Sequence, residues 1–242
     1  MKHNKLYEII AYDDDIVVVN KSSGVLSIPD RFDKTIPNLR VLLEEKFGRI
    51  WVVHRLDKET SGIMVFARNP ESHKDLNQQF ESQDVKKIYH AVVAGWILQD
   101  EFEIDIPLLT DPSNPSRTIP SARGKEALTL VRVLERFSIA TLIECKLVTG
   151  RHHQIRVHCS AIGNPLIVDE VYGNSDAFYL SHIKRRYNLK KGEEEKPIIS
   201  RLTLHSYSLE FKHPRTGELL SYTAPYPKDF LALLTVLRKY AK

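Results

Sequence analysis

The segment His54-Arg55-Leu56-Asp57-Lys58-Glu59-Thr60-Ser61-Gly62 constrains this chain more than any other stretch. Eight of its positions are polar or turn-forming, yet it lies between two apolar runs, Ile50 to Val53 and Ile63 to Ala67, that read as strands. An ordinary hairpin turn is shorter and uses Asn or Gly dipeptides. A long polar loop held by a strand on each side is a place where a carboxylate can be fixed rigidly. On spacing alone two readings stand. Asp57 is a positioned catalytic carboxylate, or it caps the turn by bonding the hydroxyl of Thr60 or Ser61.

The surrounding pattern mixes strands and helices. Ile16-Val17-Val18-Val19 reads as a buried strand, followed by a turn at Lys21-Ser22-Ser23-Gly24. Thr35 to Phe47 carries a stripe of Leu39, Leu42, Leu43 and Phe47 with Gly48 as a stop, which predicts a helix. Asn69-Pro70-Glu71 supplies a cap, a proline at the first helical position and an acid, so a helix is expected to about Ser82. Strands are expected at Lys87 to Ala94, Glu126 to Leu134, Ala140 to Leu147 and Arg201 to Phe211. Asp111 to Gly124, with Pro112, Pro115 and Pro120, reads as a surface loop, and Arg117, Arg123 and Lys125 go with it. Gly150 to Ile162 reads as a helix with Ile155, Cys159 and Ile162 on one face. His213 to Gly217 reads as a hairpin turn before a strand from Glu218 to Tyr222. A final amphipathic helix buries Phe230, Leu233, Leu234 and Leu237. Strands outnumber helices and the helices fall between them irregularly, so the fold class is α+β rather than a regular βαβ repeat.

A chain of 242 residues suits one large domain or two small ones and buries a core without a disulfide or metal staple. Lys and Arg number 35 against 31 Asp and Glu, an excess that permits a polyanionic partner without demanding one. Cys145 and Cys159 sit in apolar segments, consistent with buried thiols in a reduced, cytoplasmic setting. The start, Met1-Lys2-His3-Asn4, lacks the apolar run of a signal peptide, and no apolar run nears the ~20 residues of a membrane span. His182 to Pro197 holds Lys184-Arg185-Arg186, Lys190-Lys191 and Glu193-Glu194-Glu195-Lys196. It reads as an exposed insertion, either a solvated loop or a contact of its basic half with a polyanion such as a nucleic acid.

The second informative stretch is Thr149-Gly150-Arg151-His152-His153-Gln154-Ile155-Arg156-Val157-His158. A zinc site fits it badly, because its histidines miss the i, i+4 spacing and no acid follows usefully. A phosphate-binding helix N-terminus beside Arg151 fits better, and a surface basic patch remains the plain alternative.

The two stretches together resemble the RluA family of RNA pseudouridine synthases. His54 to Gly62 is similar to that family's H-R-L-D-x-x-T-S-G signature, and Thr149 to His158 to its T-G-R-x-H-Q-I-R-x-H motif. Gly163-Asn164-Pro165-Leu166, Asp169 and Tyr172-Gly173 follow as the family pattern does. Lys87-Ile88-Tyr89 resembles its K-x-Y strand, and Leu204-His205-Ser206 and His213 to Glu218 match as well. The resemblance runs from about residue 10 to residue 227. Lys21-Ser22 departs from the usual Lys-Pro, Asp169 follows Val168 where glycine is common, and the insertion from His182 to Pro197 is not part of the pattern.

The resemblance implies a single catalytic domain: a curved, mainly antiparallel sheet with helices and loops around a central cleft. It implies isomerisation of uridine to pseudouridine in ribosomal or transfer RNA, without metal or cofactor. It makes Asp57 the catalytic residue, lays Tyr89 against the uracil ring and lets Arg55 enter the RNA stack where the base leaves. Arg156 is the expected partner of Asp57, with Arg151 as the second choice. The expected RNA contacts are Arg55, His54, Arg151 and Lys21. No small RNA-binding domain is expected before residue 10, so RNA recognition is expected to rest on the catalytic domain, in a monomer without membrane or obligate protein partner. The rivals are a non-catalytic RNA binder, an RNA chaperone and a glycoside hydrolase; the last needs two acids flanking one bond.

Overall fold

The computed structural model describes residues 5–184, 187 and 192–242. In chain order the first elements are β1 (Tyr7–Tyr12), β2 (Ile16–Lys21), α1 (Leu39–Phe47), β3 (Trp51–Val52), β4 (Ser61–Ala67), α2 (Pro70–Glu81) and β5 (Lys86–Ala94). Then come β6 (Glu101–Asp105), β7 (Leu108–Thr110), β8 (Thr118–Pro120), β9 (Leu128–Arg136), β10 (Ala140–Leu147) and α3 (Gln154–Ala161). A short 3-10 turn at Leu180–His182 precedes β11 (Leu204–Lys212), β12 (Leu219–Thr223) and α4 (Lys228–Tyr240). The class is α+β, as the pattern implied.

The chain forms two compact units, each built from separated segments. The first comprises Met1–Tyr89 and His205–Pro225. Its strand order is β1-β2-β4-β11, with β3 paired to β4 and β12 to β11. These pairings are antiparallel except that of β4 with β11, which is parallel. Ile16, Val18, Ile63, Val65, Leu209 and Phe211 pack with Leu76 of α2 and Val85 as its core. Asp15 ties three parts of this unit together: its carboxylate accepts Asn69 Nδ2 (2.9 Å) and Ser72 Oγ (3.1 Å) from the start of α2, and pairs with Arg215 of the 213–217 turn.

The second unit comprises His90–Leu204 and Tyr226–Lys242. Its strand order is β5-β10-β9-β6, beside a separate β7–β8 hairpin. Phe230, Leu233, Leu234 and Leu237, the apolar stripe of α4, pack on Phe137, Leu142 and Phe178. Cys145 and Cys159 are buried free thiols. Among the described residues no helix is long and apolar enough to cross a membrane. Within the insertion, Arg185, Arg186, Lys190 and Lys191 lie outside the described residues, while 192–194, 196 and 197 are exposed.

Local chemistry explains several element boundaries. Asn69 accepts the Ser72 N–H at 2.8 Å, so α2 starts where the cap and proline place it. The helix expected from Thr35 begins only at Leu39, because Asn38 caps it by accepting the Val41 N–H. The helix expected from Gly150 begins at Gln154, because His153 adopts a left-handed φ of 55°. The proline-rich stretch read as loop contains β8, an edge strand whose Pro120 sits at its end.

The parallel contact of β4 with β11 fixes one glycine. Gly62 has φ +118°, and a Cβ there would lie 2.1 Å from the backbone oxygen of Ser206. Gly62→Ala must therefore separate the two strands or strain both. The expected outcome is a loss of at least about 3 kcal/mol in denaturant unfolding, or no soluble protein. A midpoint equal to that of the wild type would contradict this packing.

Candidate active site

The loop carrying Asp57 is tethered along its length. At its entrance His54 Nε2 accepts the Val65 N–H of β4 at 3.0 Å, and the imidazole stacks on Phe80 of α2 at 4.6 Å. Ser27 Oγ then accepts the Leu56 N–H (3.1 Å) and donates to the Leu56 carbonyl (2.8 Å). Lys21 is fully buried, and its ammonium donates to the carbonyls of Ser22, Val25 and Lys58 at 2.8–3.0 Å. Gly24 N–H also donates to Lys58, and Ser23 Oγ to the Glu59 carbonyl. The turn itself closes with Thr60 N–H on the Asp57 carbonyl at 3.1 Å.

Beyond the turn, Ser61 Oγ lies 2.9 Å from His205 Nδ1, while His205 Nε2 faces the Ala224 carbonyl at 3.1 Å. A carbonyl only accepts, so Nε2 carries the proton, and in the neutral ring Nδ1 accepts the serine hydroxyl. These bonds fix the first turn of chain after Asp57 to β11.

Asp57 is half-buried and Arg55 is exposed. Tyr89, on β5, is 8% exposed. Burial pushes its phenol up to about 12; a hydrogen bond with Ser206 opposes that shift and the negative charge of Asp57 adds to it. Tyr89 thus remains a neutral donor close enough to Asp57 to feel its charge. Lys87, two residues earlier on β5, is buried, and burial lowers its pKa.

Two sequence expectations meet a different environment here. His54 and Lys21 were expected among the RNA contacts. Lys21 faces inward onto backbone carbonyls, a placement that closes it to a phosphate. His54 is engaged by Val65 and Phe80, and burial, with a smaller effect of Lys87, lowers its pKa to about 3. Both act on the shape of the loop.

In the second unit, the motif from Thr149 to His158 turns mostly inward. Gln154 accepts Thr149 Oγ1 and Arg151 N–H and donates to the Leu128 carbonyl and Thr129 Oγ1. His158 is fully buried between Thr129 Oγ1 (2.9 Å) and the Ile106 carbonyl (3.0 Å). Arg156, 7% exposed, forms a bidentate pair with Asp169, with Nε–Oδ2 and NH2–Oδ1 both at 2.8 Å. Burial would raise the Asp169 carboxyl, but Arg156 and the N–H groups of Tyr172 and Val171 hold it below the usual range. The Tyr172 ring lies between Arg156 (5.0 Å) and Arg117 (5.5 Å). Arg151 and His152 are exposed. Asp169 and Tyr172 stand in the family pattern, but their spacing does not reveal that they hold Arg156.

Among the described residues of the first unit, ligand atoms of Asp13, Asp15 and His213 converge as a metal site would require. Those atoms are already engaged. Asp13 accepts the Asp15 and Ile16 N–H groups and His213 Nε2, and Asp15 accepts Asn69, Ser72 and Arg215. The cluster is a structural junction.

Comparisons with known proteins agree on one family. The family profile described as RNA pseudouridylate synthase matches residues 15–161. The chain is 37% identical over 220 residues to the dual-specificity RNA pseudouridine synthase RluA of Pasteurella multocida, covering 90% of this chain and 92% of that protein. It is 39% identical over 237 residues to the ribosomal large subunit pseudouridine synthase D of Neisseria meningitidis; this covers 96% of the chain, which spans 61% of that longer relative. Among solved structures, the human RNA pseudouridylate synthase domain containing 1 superposes with a TM-score of 0.71 at 26% identity, covering 94% of this chain and 87% of that one.

The state of His54 gives a pH-dependent outcome. Its pKa is lower in the folded chain, at about 3, than the ordinary 6.5, so the unfolded chain binds the proton more readily. Its contribution to stability is complete above pH 6.5 and is lost as pH falls towards 3. Urea unfolding across that range should show a steeper acid decline for the wild type than for His54→Gln. Parallel declines would mean that His54 is not held neutral.

Proposed function

The chain belongs to the RNA pseudouridine synthase family, and from that premise we propose that it converts specific uridines of structured ribosomal or transfer RNA to pseudouridine, with Asp57 as the catalytic carboxylate. The observation that carries the assignment is the tethered loop: His54, Ser27 and Lys21 fix the backbone on both sides of a half-buried Asp57, within electrostatic reach of the neutral Tyr89.

The reaction explains why such a site suffices. The bond between C1′ and N1 breaks, a bond between C1′ and C5 forms, the C5 proton leaves and N1 gains one. Nothing is oxidised or reduced, so the chemistry calls for a positioned base or nucleophile rather than an electron carrier. A stacked uridine hides its glycosidic bond, so the nucleotide must leave the helix, at a cost of a few kcal/mol. Arg55 is exposed on the same loop, and its guanidinium plane can fill the vacated stack. Tyr89 offers the extruded uracil an aromatic face and a hydroxyl that stays protonated. In this reading Arg156 acts as a cation whose direction is set by Asp169, and the exposed Arg151 meets the RNA backbone.

Asp57→Asn should abolish pseudouridine formation on in vitro transcripts while retaining most of the RNA affinity. Full turnover in that variant, with mass spectrometry excluding reversion to Asp, would sink the assignment. Arg55→Ala should slow single-turnover conversion by at least about tenfold without changing thermal stability, because it removes the group that offsets base extrusion. Pseudouridine mapping of total RNA from cells with and without the gene identifies the sites. Those sites should return with the wild type and not with Asp57→Asn.

A further inference from the structure

The stretch 27–37 forms a closed loop in the first unit. Leu26 and Asn38 pair in a parallel bridge, and Leu39 N–H donates to the Leu26 carbonyl at 2.8 Å. Ser27, at the root, is the residue that both accepts from and donates to Leu56, the neighbour of Asp57. The loop and the catalytic turn therefore share one hydrogen-bond junction. At the tip Asp30 accepts the N–H groups of Phe32 (2.8 Å) and Asp33 (2.9 Å), and Asp33 accepts Thr35 N–H and its hydroxyl. These turns hold the backbone so that Phe32 projects outwards. It is 93% exposed, above every other large apolar side chain among the described residues. Arg31 lies 5.9 Å from its ring centroid.

A lone exposed apolar side chain is common and needs no explanation in itself. Phe32 differs in three respects: its turns keep it from folding back, it is a planar aromatic, and its loop is rooted one residue from the catalytic carboxylate. Asp30 and Asp33 border it, and their hydrogen bonds keep both carboxyls below the usual range and charged. Arg31 and Lys34 balance these two acids, so the tip has no net charge with which to hold a phosphate. An uncharged, flat partner fits, and an unpaired nucleobase has both properties.

We propose that Phe32 is a stacking platform for an unpaired base flanking the target uridine, and so a determinant of which RNA is accepted. The proposal rests on RNA being the substrate. The platform distinguishes RNAs by whether a base near the target is free to stack, and tolerates its identity, since every base has a π-face.

The test uses the full chain with in vitro transcripts of large-subunit ribosomal RNA fragments and of unmodified transfer RNA. Phe32→Ala should weaken binding and kcat/KM by about tenfold, the scale of one base–aromatic stack, with saturating single-turnover rate and melting temperature unchanged. Phe32→Trp should restore both, and Phe32→Leu, apolar but without a π-face, should not. The proposal is overturned if Phe32→Ala binds as the wild type does, or if Leu restores binding as fully as Trp. Wild type that binds a transcript but forms no pseudouridine fails the reaction assignment alone, and the same variants still decide the platform. Wild type that binds neither transcript overturns both.

Discussion

Strand β4 is buried at every position from Ser61 to Ala67, and the loop that carries Asp57 depends on it. It pairs with β2 on one side and runs parallel to β11 on the other. The parallel approach at Gly62 leaves no room for a side chain, so the strand has no freedom to slide. Ser61, one residue earlier, is tied to His205. The chain thus leaves Asp57 and within a few residues enters the most constrained strand of its unit. At the other end His54 returns to the same strand through Val65. A loop anchored at both ends to one buried strand keeps its middle in place, which a carboxylate that works by geometry requires.

The second motif shows how misleading basic composition is when read as surface. Thr149 to His158 carries arginines and histidines in a density that suggests a polyanion site. The fold buries Gln154, Arg156 and His158 and satisfies them internally. Tyr172 is the pivot of this arrangement. Its hydroxyl accepts the Thr118 N–H of β8 (2.8 Å) and meets His153 Nδ1 (2.9 Å), while its ring packs against Arg156. One tyrosine therefore couples the β7–β8 hairpin, the start of α3 and the buried guanidinium. Asp169 locks the last of these with a bidentate pair, whose fixed geometry a lysine could not reproduce.

What the sequence revealed followed from signals that act locally. The cap and proline of α2 and the apolar stripe of α4 needed no tertiary information, and both elements stand where the pattern put them. The loop around Asp57 was legible because so many polar residues between two apolar strands have few alternatives. β1 and β6 escaped notice because their sequences, Tyr7–Tyr12 and Glu101–Asp105, are short and carry acids that mask strand propensity. β8 hid among prolines that an edge strand tolerates. Ile162, placed on one helix face with Ile155 and Cys159, is 37% exposed, because α3 ends at Ala161 before that face is complete. The destinations of Lys21 and His54 were illegible for another reason. A cation or imidazole beside the Asp57 turn looks the same in sequence whether it faces RNA or a carbonyl, and only the path of β2 and β4 decides which.

That distinction bears on how a chain with a net charge of only +4 can hold a polyanion. Lys21, Lys87 and Arg156 are withdrawn from the surface, so they contribute little to long-range attraction. The exposed cations of the two motifs, Arg55, Lys58 and Arg151, are few. An enzyme relying on phosphate contacts alone would need many such groups, and its affinity would fall steeply with salt. A site with few exposed cations but a fixed aromatic surface and a guanidinium plane gains more by taking hold of bases that have left a helix. Base contact also favours RNA already distorted at the target, because an unpaired or weakly stacked uridine costs least to extrude. On the proposed reading, an RNA is then chosen by its shape at the target more than by its sequence.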